Sequence, residues 1–332
     1  MNSEIHVLDE KTIDRIAAGE VVERPLSIVK ELVENAIDAG ATAITVEIKG
    51  GGISYIRVTD NGSGIDRDQI RTAFMRHATS KINDAADLFS IRSLGFRGEA
   101  LSSIAAVSMV ELYTKTKEQI TGIRYVVEGS KEMVFDEAGV PTGTTFIVRN
   151  LFYNTPARRK FLKSEKTEAG YISDYMEKAI LGNTEIAFKY MSGNDVKLQS
   201  YGTNKALDNL YCLYGKSVME NMIPINAKTE NLTISGYIGK PVLCRSNHNM
   251  EIYFVNKRYI KSNVIKSALS EGYKPYMMLH KFPFVLLYLE IPADHLDVNV
   301  HPSKMEIRFS EPSVVYDTLV TAIREALKKQ EM

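Results

Sequence analysis

The chain has 332 residues, 41 Lys+Arg against 41 Asp+Glu, 44% hydrophobic residues, two cysteines and no tryptophan. Zero formal net charge excludes a uniformly basic nucleic-acid coat, and the ordinary apolar and charged fractions exclude a disordered or collagen-like chain. Two cysteines outside any CxxC pair exclude a disulfide framework and argue against a structural zinc site, so an intracellular, cytoplasmic setting is expected. The N-terminal MNSEIHVLDEK has no apolar signal region, and the longest apolar stretch, Phe282 to Ile291, is far short of the roughly 20 residues that span a bilayer.

Taken in chain order, hydrophobic periodicity predicts a helix over Ser27 to Ala39, strands at Ile44 to Lys49 and Tyr55 to Asp60, and a helix around Arg67 to Ala78. A glycine-punctuated stretch runs from Lys81 to Ala106. Strands follow at Met109 to Thr114, Arg124 to Glu128 and Thr144 to Val148, then a basic segment at Pro156 to Lys166. The order is that of one sheet covered by helices rather than a strict βαβ alternation. SYGTN at Ser200 to Asn204 marks a boundary, giving expected domains 1–204 and 205–332. The second domain alternates strands at Thr233 to Ile238, Ile252 to Val255, Val285 to Ile291 and Met305 to Phe309 with helices at Asn263 to Ser270 and Pro312 to Leu327.

Common phosphate motifs fail. YGKS at Tyr214 to Ser217 imitates the end of a Walker A loop, but Leu210 stands where its first glycine belongs, and GSG at Gly62 to Gly64 lacks the third glycine of a dinucleotide fingerprint. A different constellation is present. At about 100° per residue, Glu31, Asn35 and Asp38 share one helix face, opposite Val29, Leu32, Val33 and Ala36. A carboxylate and a carboxamide one turn apart can hold a water and a hard cation, with substrate phosphates completing the shell. A solvated helix face would show the same pattern. TDNGSGI at Thr59 to Ile65 adds an acid at a strand end, Asp60, able to accept from an exocyclic amine, followed by glycines that let backbone approach a flat ligand. HATSK at His77 to Lys81 and LGFRGEAL at Leu94 to Leu101 supply hydroxyls, glycine hinges and a helix start whose backbone N–H groups favour phosphate. GTT at Gly143 to Thr145 opens a strand that could meet an adenine from the other side.

ENAIDAGA and DNGSGI together resemble the GHKL ATPase superfamily. RIAAGEVVERP (Arg15 to Pro25), KELVENAIDAGA (Lys30 to Ala41), RHATSK, SLGFRGEAL, NLFYNTPARRKFL (Asn150 to Leu162), FVNKRYI (Phe254 to Ile260) and DVNVHPSKMEIRF (Asp297 to Phe309) narrow the resemblance to the MutL-type DNA mismatch repair proteins. That resemblance implies an α+β fold: a GHKL (Bergerat) ATPase α/β sandwich followed by a transducer domain like domain 2 of ribosomal protein S5. It implies Glu31 as the general base, Asn35 as the magnesium ligand, and Asp60 as the group that recognises the adenine amine, with Gly64 and Thr144 lining the base pocket. Asp38, Ala39, Gly62 and Ile65 would contribute to the same pocket. Thr79, Ser80, Lys81, Leu94, Gly95, Phe96, Arg97, Gly98, Glu99, Ala100 and Leu101 would form the lid around the triphosphate. Lys304 would reach the γ-phosphate from the second domain.

The implied cofactors are ATP and Mg²⁺. The implied partners are DNA without sequence preference, a second copy joined through ATP-dependent dimerisation, a MutS-type mismatch sensor and a downstream nuclease or helicase. The implied setting is nucleoid-associated. A topoisomerase-type ATPase subunit and a non-hydrolysing DNA-binding scaffold are the rival expectations; RIAAGEVVERP and LGFRGEAL weigh against the first and Glu31 against the second. No DQHAxxExxxxE string occurs, so endonuclease activity is not expected of this chain, and the natural protein is expected to continue into a further region.

Neutrality conceals local charge. From Lys228 to Lys281 there are nine Lys/Arg against three acids, and Arg158, Arg159, Lys160 and Lys163 form a second cluster. Phosphate contacts from such clusters give salt-dependent affinity without base reading. Arg158, Arg159, Lys160, Lys257 and Arg258 are the DNA-contacting candidates, with Arg258 matching a DNA-contacting arginine of the family. A structural turn with solvated charges would account equally for 156–163.

Overall fold

A computed structural model describes residues 18–78, 99–297 and 307–329. The chain divides into two compact units: the described residues up to Ile180 with Glu185–Asn204, and Leu181–Thr184 with the described residues from Lys205 onward. The α+β architecture is that expected, but several elements differ from their predicted bounds.

The first unit is built on β1 (Ala43–Lys49), β2 (Tyr55–Asp60), β3 (Met109–Lys115), β4 (Gly122–Glu128), β5 (Lys131–Ala138), β6 (Gly143–Arg149), β7 (Ala187–Ser192) and β8 (Asp195–Gln199). They form one sheet in the order β5-β4-β3-β6-β2-β1-β7-β8, antiparallel except where β1 lies parallel to β7. Alternation explains its two faces. Ile44, Val46, Ile48, Ile56, Val58, Val110, Leu112, Phe146 and Val148 point to the buried face. The other face is polar: Arg57 pairs with Glu47 at 2.7 Å, and Thr145 donates to Thr59 at 3.1 Å.

Helices α1 (Pro25–Asp38), α2 (Ile70–Ala73), α3 (Ala100–Val107), α4 (Pro156–Phe161) and α5 (Glu165–Gly182) complete this unit, with the last residues of α5 passing into the second. Helix α1 packs on β1, β2 and α3, while α3 packs on β3 and β4. The helix expected over Arg67 to Ala78 is shorter: a 3₁₀ turn at Arg67–Gln69 and one α turn. Only Ile70 of that stretch is buried, Phe74 and Met75 close on Arg71 and Thr72 carbonyls, and His77 at φ 59° stops propagation. Too little apolar surface is covered to extend a helix whose nucleation is costly. Helix α5 extends well beyond the basic segment read from the sequence, and β5, whose residues are mostly exposed, has no counterpart among the predicted strands.

In the second unit, β9 (Met222–Lys228), β10 (Thr233–Gly239), β11 (Glu251–Val255), β12 (Arg258–Tyr259) and β13 (Val285–Glu290) form a sheet ordered β12-β11-β13-β10-β9. Its helices are α6 (Ala206–Tyr214), α7 (Lys216–Met219), α8 (Asn263–Tyr273) and α9 (Pro312–Lys328). One sheet face packs Ile225, Ile234, Val285 and Leu287 against Ile265, Leu269, Leu319 and Ile323 of α8 and α9. Leu181, Leu210, Phe254, Phe284 and Leu286 form a core on the other. Strand β11 is buried at all five positions because both its faces are covered. A short pair, β14 (Leu296–Asp297) with β15 (Arg308–Phe309), remains of the strand predicted at Met305 to Phe309, whose first two residues lie outside the described ones.

On the polar face of the first sheet, Glu111 bridges three neighbouring strands. It accepts from Arg124 of β4 and Arg149 of β6, both at 2.8 Å, and from the Tyr113 hydroxyl at 2.8 Å. Burial acts to raise its pKa, but the hydrogen bonds from Arg149, Arg124 and Tyr113 outweigh it and hold the carboxyl at about 2. A depressed carboxylate pKa stabilises the fold above the unfolded-state value, and that contribution disappears as pH falls toward 2. Both arginines are over a third exposed, which screens the interaction. Glu111→Gln should therefore cost about 1–2 kcal/mol at pH 7, with the difference from wild type shrinking in urea melts carried toward pH 2.

Candidate functional site

The site begins with the setting of α1. Pro25 occupies its first turn, where a missing N–H costs nothing, and Ile28, Val29, Leu32, Val33 and Ala36 are buried. Arg24, the N-cap, lies 4.0 Å from the buried Glu168 carboxylate and 4.8 Å over the Tyr171 ring, both from α5. Glu168 also accepts from the Lys163 backbone N–H at 2.9 Å. Farther along α5, the Tyr175 hydroxyl donates to the Lys30 carbonyl at 3.4 Å. Burial first, then the negative charges of Glu34 and Glu31, push this phenol well above its usual pKa. The rotation of α1 thus leaves Glu31 and Asn35 half-buried and Asp38 exposed, on the face away from the core stripe.

At the end of α1 the chain meets the loop after β2. The Ser63 N–H donates to the Ala39 carbonyl at 3.0 Å. Asn61 accepts from the Thr42 and Ala43 N–H groups, both at 2.9 Å, and donates to the Thr42 hydroxyl at 2.8 Å. The loop carrying Gly62, Gly64 and Ile65 is thereby tied to the helix that carries Asn35 and Asp38. Gly64 sits at φ 75°, and any Cβ there would strike the Lys115 carbonyl, so both its conformation and its surroundings require glycine.

The base of the site is a row across three strands. Register places Asp60 of β2 opposite Thr144 of β6, and Thr144 opposite Thr114 of β3. All three side chains stand on the helix-covered face, where directly opposed residues are close neighbours. Thr114 and Thr144 are buried and their hydroxyls are 3.2 Å apart. The Asp60 carboxylate accepts from the Gly62 N–H at 2.8 Å. Burial raises its pKa, opposed by backbone hydrogen bonds from Gly62 and Thr144. The result is a largely desolvated acceptor beside two buried hydroxyls, suited to a group bearing an N–H donor.

Beyond the row, His77 Nδ1 lies 3.1 Å from Glu99 Oε1, closing the described chain on either side of residues 79–98. Glu99 caps α3, and its carbonyl accepts from the Ser102 hydroxyl and the Ser103 N–H; Ala100 and Leu101 are half-buried in the first turn. Thr79, Ser80, Lys81, Leu94, Gly95, Phe96, Arg97, Gly98 and Lys304 lie outside the described residues.

Among the sequence candidates, Ala39, Asp60, Gly62, Gly64, Ile65 and Thr144 are brought to one place. Thr114 and Asn61 were not singled out from the sequence, although both lie in segments that were: their roles depend on cross-strand register. Of the basic candidates, Arg159 and Lys160 are exposed, whereas the Arg158 guanidinium is packed against Gly19. Lys257 is exposed at the tip of the β11–β12 hairpin, and Arg258 is half-buried beside it. Asn256 and Lys257 take φ 49° and 67°, a tight two-residue turn. Asn256 also exchanges hydrogen bonds with the Ile291 backbone at 2.8 and 3.0 Å, anchoring the hairpin.

Among the described residues, no group of three or more His, Cys, Asp or Glu could hold a metal ion alone, and no helix is long and apolar enough to cross a membrane. Residues 24–137 match the family model for the histidine kinase-, DNA gyrase B- and HSP90-like ATPases, and the fold and site define this unit as a domain of that class. Residues 210–328 match the model of the DNA mismatch repair protein C-terminal domain. The chain is 55% identical over 99% of its length to the DNA mismatch repair protein MutL of Agathobacter rectalis, covering 50% of that protein. A crystal structure described as the N-terminal domain of a DNA repair protein superposes with a TM-score of 0.80 at 26% identity, covering 96% of this chain and 98% of that one. The ADP-bound MutL ATPase domain of Aquifex aeolicus superposes with a TM-score of 0.64 at 26% identity, over 90% and 98% of the two chains. The chain belongs to the MutL family of DNA mismatch repair proteins. It spans about half the length of the curated relatives it matches.

The buried acid makes a stability statement. A folded-state pKa raised above the unfolded value contributes stability at low pH that is lost as pH rises through the raised value. Ionised Asp60 therefore weakens the fold at neutral pH. Asp60→Asn keeps an oxygen to accept from Gly62 and should raise Tm slightly at pH 7, with the gain vanishing in melts below the ordinary aspartate range.

Proposed function

We propose that this chain is the ATPase portion of a mismatch repair mediator, with residues 1–204 binding and slowly hydrolysing Mg-ATP and residues 205–332 acting as transducer. The observation that carries it is the joining of the end of α1 to the Asp60 loop and the Thr144 strand. Glu31 precedes Ala39 by eight residues, about 12 Å along a helix axis, roughly the reach of an extended nucleoside triphosphate. Adenine held at Asp60 would thus bring the terminal phosphate toward Glu31.

In this reading Asp60 accepts the adenine 6-amine, with Gly62, Gly64, Ile65 and Thr144 forming the pocket wall and Asp38 and Ala39 its helix edge. Asn35 supplies a carboxamide oxygen for Mg²⁺, whose remaining ligands would be phosphate and water oxygens. When bound, the ion offsets charge on the phosphates. Glu31 orients the attacking water and takes its proton, and positioning does most of the remaining work. Thr79, Ser80, Lys81 and Leu94 to Leu101 would close over the phosphates, and Lys304 would reach the γ-phosphate. ATP binding would favour association of two copies into a clamp on DNA that couples a MutS-type sensor to strand removal by a nuclease or helicase.

Glu31→Ala should retain ATP binding and lose hydrolysis, measured by nucleotide titration and phosphate release, while Asn35→Ala should lose Mg-ATP binding. Normal turnover by the Glu31 variant would remove the assigned base, and wild type that binds ATP without releasing phosphate would favour the scaffold reading. For DNA, the exposed Lys257 tip with Arg258 is the first candidate surface, with Arg159 and Lys160 a second. Arg258→Glu should weaken duplex binding severalfold at low salt, flatten the slope of affinity against salt and leave DNA-free ATPase intact.

A further inference from the structure

The Thr114 hydroxyl is a buried junction. It accepts the Ile65 N–H at 2.8 Å, lies 3.1 Å from the Gly143 carbonyl and 3.2 Å from Thr144 Oγ1. A hydroxyl has one proton and two lone pairs. Ile65 occupies one lone pair. The carbonyl is the closer of the other two neighbours and has no proton to give, so it takes the Thr114 proton. The second Thr114 lone pair then receives the Thr144 proton, which leaves Thr144 Oγ1 only lone pairs for any further partner. Gly143 is held for this bond by its own geometry: φ is 120°, and a Cβ there would strike the Asp60 carbonyl.

Asp60 and Thr144 are direct cross-strand neighbours, so the polarity of one governs what the other can be used for. Two acceptors side by side match a group that offers two hydrogens and oppose one that offers an oxygen. From this proton inventory the geometry assigns Thr114 as the positioning residue that selects a 6-amino purine over a 6-oxo purine, by fixing the hydroxyl direction of Thr144 and the backbone of Ile65. The assignment rests on the nucleotide reading above and deepens it: Thr114 itself touches no ligand.

The test compares ATP with inosine triphosphate, which differs at the 6-position, by binding titration to wild type, Thr114→Val and Thr114→Ser. Wild type should prefer ATP. Thr114→Val matches the side chain in shape but leaves the Ile65 N–H and the Gly143 carbonyl without their partner, and frees the Thr144 proton to donate to a ligand. Loss of a buried partner corresponds to about 10- to 100-fold in affinity, so ATP should weaken by that order while inosine triphosphate weakens less, narrowing the preference. Thr114→Ser retains the hydroxyl and should restore the wild-type preference. An unchanged ATP to inosine triphosphate ratio in Thr114→Val overturns the assignment. So does a Ser variant that fails to discriminate while melting like wild type, and this arm decides the matter if the Val variant does not fold. Wild type that binds neither nucleotide would instead overturn the ATPase reading, an outcome visible before any variant is measured.

Discussion

Burial of one stripe of α1 against β1 and β2 is the constraint on which the rest of the first unit depends. Ile28, Val29, Leu32, Val33 and Ala36 lose their contact with water together, worth on the order of 10 kcal/mol for five apolar side chains. A half-turn rotation of the helix would expose that surface and press Glu31 and Asn35 into the sheet. The polar face is therefore held outward by the cost of the alternative. The Arg24–Glu168 contact and the Tyr175 contact add orientation at little energetic expense, fixing where along the sheet the helix begins.

The same logic governs the loop after β2. Asn61 ties it to the start of β1, Ser63 to the end of α1, and Ile65 to Thr114, so three neighbouring elements specify a segment that contains two glycines and would otherwise be floppy. Asp60 remains strained electrostatically within this frame: it is desolvated, and only backbone donors compensate it. Such a group is useful to a ligand that brings a donor of its own, because binding supplies what the fold withholds. In the second unit the β11–β12 hairpin follows a comparable plan. A fully buried strand and the Asn256–Ile291 exchange hold a tight turn rigid, and the turn lifts Lys257 into solvent.

Several elements were legible because one interaction dominates each. Strand β2 coincides with its predicted bounds, since YIRVTD alternates cleanly and ends at the acid. The stripe of α1 was readable for the same reason. Helix α5 was not: its first residues are charged, its apolar positions are interrupted by Glu168, Tyr171 and Tyr175, and it was visible only as the end of a basic segment. Strand β5 has almost no buried side chains and is held by its ladder to β4, a stabilisation that leaves no mark on composition.

What the sequence determined by itself is the chemistry at short range: the carboxylate and carboxamide one helical turn apart, the acid before two glycines, the blocks that place the chain in its family. Those signals are local, carried by spacing within a single element. What only the tertiary structure decided is which local features share a site. Thr114 looks like any threonine at a strand end until register sets it beside Thr144 and Thr144 beside Asp60. Arg158 looks like a surface cation until its guanidinium is found against Gly19. Register and packing join residues tens of positions apart through hydrogen bonds whose partners are chosen by the fold as a whole, and no periodicity within one segment encodes that choice.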